Sequence, residues 1–96
     1  MSEFRYAVNV LPKPGILDPQ GRAVELSLPH LNVTNVSMVR VGRRVELTVT
    51  AEAEPQARLV VDGLAKELLS NPLIEVYAFE LLEATSSVVS TGAAPR

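Results

Sequence analysis

The chain has 96 residues, of which 47% are hydrophobic and 21% charged, with a formal net charge of −2 and no cysteine. That length holds one domain with a thin core, burying about two-thirds of the unfolded surface, so association would add useful burial. The charge offers no electrostatic pull toward nucleic acid or an anionic membrane, and the missing cysteines exclude disulfides and thiolate metal sites.

The opening Met1-Ser2-Glu3-Phe4-Arg5 lacks the basic and apolar regions of a signal peptide. No apolar run approaches the roughly 18 residues of a membrane span. A cytoplasmic protein is expected.

Residues 4–11 alternate. Phe4, Tyr6, Val8 and Val10 share one face, with Arg5 and Asn9 on the other, which predicts a half-buried strand. Pro12-Lys13-Pro14-Gly15 ends it, because proline fixes φ and donates no ladder hydrogen bond. Asp18-Pro19 reads as a helix start, with an aspartate to cap free amides and a proline suited to the first turn. Val24, Leu28 and Leu31 form its apolar stripe. Pro29 should end or kink the helix near Leu28, leaving Leu31 in an irregular turn.

Residues 36–41 and 44–50 read as a hairpin around Gly42-Arg43, since glycine first in a two-residue loop suits a type II′ turn. Pairing Val41 with Arg44 would set Met38 opposite Leu47 and Val36 opposite Val49. A one-residue slip would mix apolar and charged faces. A second helix starts at Glu54-Pro55 and carries Ala57, Val60 or Val61, Leu64 and Leu68 at helical spacing. Gly63 weakens it, and Asn71-Pro72 stops it.

Residues 74–83 form the last strand. Ile74, Val76 and Ala78 lie on one face, and Tyr77, Phe79 and Leu81 on the other. With both faces apolar, one of them is expected to meet a second chain. Residues 84–96, rich in Ala, Ser and Thr, read as a flexible tail beyond a single domain of residues 1–83. The order β-α-β-β-α-β is an α+β, ferredoxin-like arrangement with two helices on one face of an antiparallel sheet. Val39, Val41 and one side of the last strand are expected on the uncovered face.

Catalytic groups are scarce. His30 has no partner set for a metal, and Ser86, Ser87 and Ser90 fall in the expected tail. Gly15, Gly21 and Gly42 make no phosphate-binding loop. Helix caps and solvated faces account for Asp18, Glu25, Glu52 and Glu54. Arg40, Arg43 and Arg44 form one charged cluster, either a solvated hairpin tip or a docking point for an acidic partner or a phosphate.

Three motifs carry a family resemblance. Lys13-Pro14-Gly15-Ile16-Leu17-Asp18-Pro19-Gln20-Gly21 followed by Ala23-Val24, the stretch Val39-Arg40-Val41-Gly42-Arg43 with Val45-Glu46-Leu47, and residues 68–77 with Asn71-Pro72 together resemble PurS, the small subunit of phosphoribosylformylglycinamidine synthase. The likeness covers about residues 4–83. Pro29 and the length of the tail depart from the family pattern.

The resemblance implies a non-catalytic subunit of a ligase complex in purine biosynthesis. In such a complex a glutaminase releases ammonia, and a large synthetase uses ATP and magnesium to convert formylglycinamide ribonucleotide to its amidine. The small subunit bridges the two, assists ammonia transfer, and associates as a homodimer or homotetramer. This chain would itself bind no cofactor or metal. Asp18, Gln20, Arg40, Arg43, Arg44, Tyr77, Phe79 and Leu81 are its candidate interface residues, the last three facing a second copy and the others the large subunits. A stand-alone dimeric ligand-sensing domain is the alternative.

Overall fold

A computed structural model describes residues 1–86 of the chain. Its elements are β1 (Ser2–Pro12), α1 (Pro19–Ser27), a 3₁₀ turn (Leu28–Leu31), β2 (Arg43–Ala51), α2 (Glu54–Leu64), a π-helical turn (Ala65–Leu69) and β3 (Glu75–Ser86). Three strands form one sheet in the order β2-β1-β3. β1 is antiparallel to both neighbours, so β2 and β3 run parallel to each other and α2 carries the chain over β1 between them.

The alternation read in residues 4–11 sets which face is buried. Phe4, Tyr6, Val8 and Val10 point into the core opposite Val49, Leu47, Val45 and Arg43 of β2, and Tyr6, Val8 and Val10 opposite Leu81, Phe79 and Tyr77 of β3. α2 and the π-helical turn after it close this face with small or β-branched side chains, Ala57 and Val61 of α2 and Ala65 of the turn, all fully buried. Such residues bring helix and strand backbones close together. The start at Glu54-Pro55 agrees with the sequence, and the helical stretch ends at Leu69 before Asn71-Pro72.

The opposite face of the sheet is polar. Arg5 pairs with Glu46 and Glu83, and Arg44 with Glu46 and Glu80, around a fully buried Ala7 that stands in register with Glu46 and Glu80. These charged side chains are all substantially exposed, so each pair contributes no more than about 1 kcal/mol. Their main effect is to make this face compatible with water. Val76 and Ala78 lie on it, but Val39 and Val41 do not. The expected apolar uncovered face is therefore corrected, because Arg5, Arg44, Glu46 and Glu80 outweigh the apolar side of β3.

α1 ends at Ser27, and Pro29 sits in the following 3₁₀ turn, which closes on Asn32 in the left-handed conformation. This agrees with the reading of Pro29 as the helix stop. α1 buries only Gly21 and leaves Val24 and Leu26 exposed. It is held through the 39–41 segment and not by packing broadly on the sheet.

That segment is the main difference from the sequence reading. Residues 36–41 form no strand, and the hairpin is absent. Gly42 is not in the left-handed region that a type II′ turn requires at that position. The chain instead runs on past the end of β1. The Val39 N–H donates to Glu25 Oε2 and the Val41 N–H to Asp18 Oδ2, both at 2.9 Å. The ferredoxin-like arrangement is thus kept with three strands, and residues 36–41 stand in the place of the second strand of the expected order without forming one. β3 also extends to Ser86, past the expected boundary at residue 83, while residues 87–96 of the expected tail lie outside the described residues.

Gly42 is required for a close approach. A Cβ there would collide with the Val10 carbonyl oxygen and the Leu11 side chain. A Cβ at Gly63 would have nothing within 4 Å, and this residue sits inside α2 with ordinary backbone angles. Gly42→Ala should therefore lower stability by about 1–3 kcal/mol. Gly63→Ala should raise it by about 0.5–1 kcal/mol, because alanine suits a helix interior. Urea unfolding of both variants checks the pair.

Candidate functional site

The three sequence motifs converge at one end of the sheet, around a cleft of about 260 Å³. Its walls come from the loop between β1 and α1, the chain leading into β2, and the start of β3, with Ile16, Leu17, Asp18, Val41, Arg43 and Glu75 among the lining residues. The loop reverses by local hydrogen bonds. The Ile16 N–H donates to the Lys13 carbonyl at 3.1 Å, with Gly15 at φ 85° between them, and the Lys13 N–H donates to the Ile74 carbonyl at 2.8 Å.

Asp18 joins two of the motifs. Oδ1 accepts the Gly21 N–H at 3.1 Å as the cap of α1, while Oδ2 accepts the Val41 N–H. Gly21 has no room for a Cβ, which would meet Asp18 Oδ2 and the Val39 carbonyl oxygen. Glu25, one turn further along, accepts the Val39 N–H and pairs with Arg22 at 3.3 Å. The Val41 and Gly21 amides hold the Asp18 carboxyl below its ordinary 3.8. The Val39 amide, helped by Arg22, holds Glu25 below its ordinary 4.5.

The third motif is locked by Arg43. Its guanidinium grips both oxygens of Glu75 at 3.0 and 3.1 Å and donates to the Leu69 carbonyl at 2.6 Å. Glu75 Oε1 also accepts the Asn71 N–H at 2.7 Å. Arg43 first, then this amide, holds the Glu75 carboxyl low. Asn71 caps the turn into β3 by accepting the Leu73 N–H on its side-chain oxygen at 3.1 Å.

The arginines of the sequence cluster therefore do separate work. Arg40 donates to the Pro12 carbonyl at 2.7 Å, Arg43 grips Glu75, and Arg44 pairs with Glu46 and Glu80 on the polar face of the sheet. Of the other candidates, Gln20 is exposed on the first turn of α1 beside the cleft. Tyr77 and Phe79 lie half-buried against the core on the face that α2 covers. The Tyr77 hydroxyl donates to Asp62 at 2.7 Å, a bond that raises its pKa, and the Arg58 guanidinium sits 5.0 Å over the Phe79 ring. Phe79 also meets Tyr6 edge-on at 5.9 Å. The chain thus already covers much of the Tyr77/Phe79 face, and Leu81, 38% exposed, is its open end.

The polar groups of the cleft hold the chain's own backbone and loops together. What projects outward is apolar. Leu17 and Leu73 are each 82% exposed, and Ile16 and Ile74 stand partly exposed beside them. Sequence reasoning expected the loop of residues 12–21 to face the large subunits but singled out Asp18 and Gln20 in it rather than Ile16 and Leu17, and it missed Leu73 and Ile74, whose signal is apolar side chains within a turn. No group of three or more His, Cys, Asp or Glu that could hold a metal ion occurs among the described residues, and His30 is exposed in the 3₁₀ turn. An apolar rim over a hydrogen-bonded frame suits docking of a protein surface.

A family model described as "PurS: Phosphoribosylformylglycinamidine (FGAM) synthase" matches residues 5–83, the whole of this frame. The chain belongs to the PurS family. Among its relatives, the PurS subunit of FGAM synthase from Synechocystis is 38% identical, covering 88% of this chain and 85% of that one. The Bacillus subtilis PurS subunit is 32% identical, covering 86% and 98%. The solved structure of PurLQS from Thermotoga maritima contains a chain that superposes with a TM-score of 0.78 at 32% identity, covering 85% of this chain and 100% of that one. Thermus thermophilus PurS superposes at 0.71 with 38% identity, covering 84% and 99%. The PurS family match does not favour the ligand-sensing alternative.

The lowered carboxyls of Asp18 and Glu25 give this frame an acid sensitivity with a definite sign. A folded-state pKa below the unfolded one contributes stability that is fully present above the ordinary values of 3.8 and 4.5 and is lost as pH falls through the lowered values. An Asp18→Asn, Glu25→Gln double variant should therefore lose stability less steeply in that acid range than the parent. Urea midpoints measured against pH check this; equal slopes would contradict it.

Proposed function

We propose that this PurS-family chain bridges a glutaminase subunit and an ATP-dependent synthetase subunit of FGAM synthase, assists passage of ammonia between them, and contributes no catalytic group. The observation that carries this reading is the apolar rim of Leu17, Leu73, Ile16 and Ile74 over a cleft whose charged groups are engaged within the chain. Such a surface recognises a partner by shape and burial. Glutamine, ATP and magnesium are then bound by the partners, in a pathway that makes purines in the cytoplasm. The PurLQS assembly of the Thermotoga maritima relative supports an assembly of this kind.

The frame under the rim explains how so small a chain presents a defined surface. Asp18, Arg40 and Arg43 fix the loop, the 39–41 segment and the start of β3 to one another. Leu17 and Leu73 are thereby set beforehand in the geometry a partner meets, which lowers the ordering cost of binding. Gln20 adds a polar contact at the margin. Homo-oligomer formation is the second part of the proposal, and it accounts for apolar side chains that remain exposed on both helices.

A Leu17→Asp, Leu73→Asp double variant is expected to weaken capture of the partner subunits by at least about tenfold, while circular dichroism shows the parent fold. Undiminished capture would remove the rim from the interface. Deletion of the gene should produce a growth requirement that purine relieves.

A further inference from the structure

The basic side chains of the chain divide into two kinds. Among the described residues, Arg5, Arg22, Arg43, Arg44 and Arg58 each pair with a carboxylate of the same chain. Lys13, Arg40 and Lys66 form no ion pair there, although the sequence holds 11 acidic residues. Lys66 lies exposed on the π-helical turn. Lys13 and Arg40 are neighbours instead: the Arg40 guanidinium donates to the carbonyl of Pro12, the residue before Lys13, at 2.7 Å.

A carbonyl is a neutral acceptor, so it leaves the charge of Arg40 uncompensated and most of the guanidinium donors available. Asp18 feels that charge, but its two oxygens are taken by the Gly21 and Val41 amides. Lys13 is half-buried, and its ammonium adds three donors. Its main chain is fixed on both sides, because its N–H donates to the Ile74 carbonyl and its own carbonyl accepts the Ile16 N–H. The two cations therefore share one backbone frame with Ile16, Leu17 and Ile74 of the apolar rim.

We propose that Lys13 and Arg40 form a recognition point for a carboxylate carried by the partner subunit that covers the rim. The proposal rests on the docking reading of the rim and adds to it the charge of the partner. The reason is desolvation. A partner that buries Ile16, Leu17 and Ile74 also takes water from the cations beside them, and an unanswered charge removed from water is strongly unfavourable. A carboxylate offsets that cost and forms a charge-assisted pair that solvent no longer screens. The planar fork of Arg40 suits two parallel bonds to it, with Lys13 as a point charge. Arg43 and Arg44 do not compete, since each already holds a glutamate. A free phosphate would answer the charge but leave the rim uncovered. The fitting surface is therefore apolar, with a carboxylate at its margin.

Dissociation constants of the chain with the purified glutaminase and synthetase subunits, measured over a range of salt concentrations, test this. A Lys13→Glu, Arg40→Glu variant should raise the constant for one of the two subunits at least about tenfold. Lys13→Gln, Arg40→Gln should raise it less and flatten its rise with salt, because glutamine still donates to the Pro12 carbonyl but carries no charge. Lys66→Glu should leave it unchanged. Circular dichroism identifies a variant that has lost its fold, and K13E alone, at a side chain that holds no other part of the chain, carries the test if R40E unfolds. Unchanged constants in the Lys13 and Arg40 variants, with the Leu17→Asp, Leu73→Asp variant still disruptive, would overturn this proposal and leave the docking rim intact. No effect in either set would overturn both. Equal weakening by K66E would reveal a general charge effect and overturn the recognition point. Inorganic phosphate that shifts the Lys13 and Arg40 amide signals in NMR spectra of the chain alone, with partner binding indifferent to K13E, would assign the pair to a free anion instead.

Discussion

One carboxylate organises the end of this chain where the three sequence motifs meet. Asp18 caps α1 through Gly21 and with its second oxygen holds the amide of Val41, 23 residues away. Without that bridge nothing on α1 would fix the 39–41 segment except Glu25, and α1 has no broad apolar contact with the sheet to replace it. Because the aspartate is ionised near neutral pH, both bonds are charge-assisted and stronger than neutral ones. The arrangement costs side-chain space at Gly21 and at Gly42, where the backbone passes too close to other atoms for a Cβ.

Much of the fold was legible because it rests on local periodicity. The alternation of Phe4, Tyr6, Val8 and Val10, the stop at Pro29, and the Ala57/Val61 spacing each express one element's own geometry, whereas Leu64 and Leu68, expected on the same helical stripe, are exposed and Ala65 is buried in their place. The hairpin was not legible. Alternating residues beside Gly-Arg look the same whether the chain reverses or continues, and the acceptors that decide the matter are the side chains of Asp18 and Glu25, 23 and 14 residues upstream. Gly42 was recognised as special for the wrong reason: it permits a close approach to Val10 and makes no turn.

The same limit applies to the site. The motif Lys13 to Gly21 marked the right end of the molecule, yet the arginines that stood out by charge hold the frame together. The residues proposed to meet a partner are exposed apolar ones in loops, where no periodicity flags them. The two apolar faces of β3 were visible in sequence, but their fates depend on neighbours. α2 covers Tyr77 and Phe79, while Val76 and Ala78 lie on the face that carries the Arg5, Arg44, Glu46 and Glu80 ion pairs.

A charge-locked end with an apolar rim is what the proposed connector role asks of so small a chain. The role proposed for it is to couple two other active sites, and reconstitution tests that directly. Purified glutaminase and synthetase subunits should form amidine from glutamine only when this chain is added, while amidine formation from free ammonia should proceed about equally with or without it. Glutamine-driven synthesis at full rate in its absence, or hydrolysis of glutamine or ATP by the chain alone, would contradict this role.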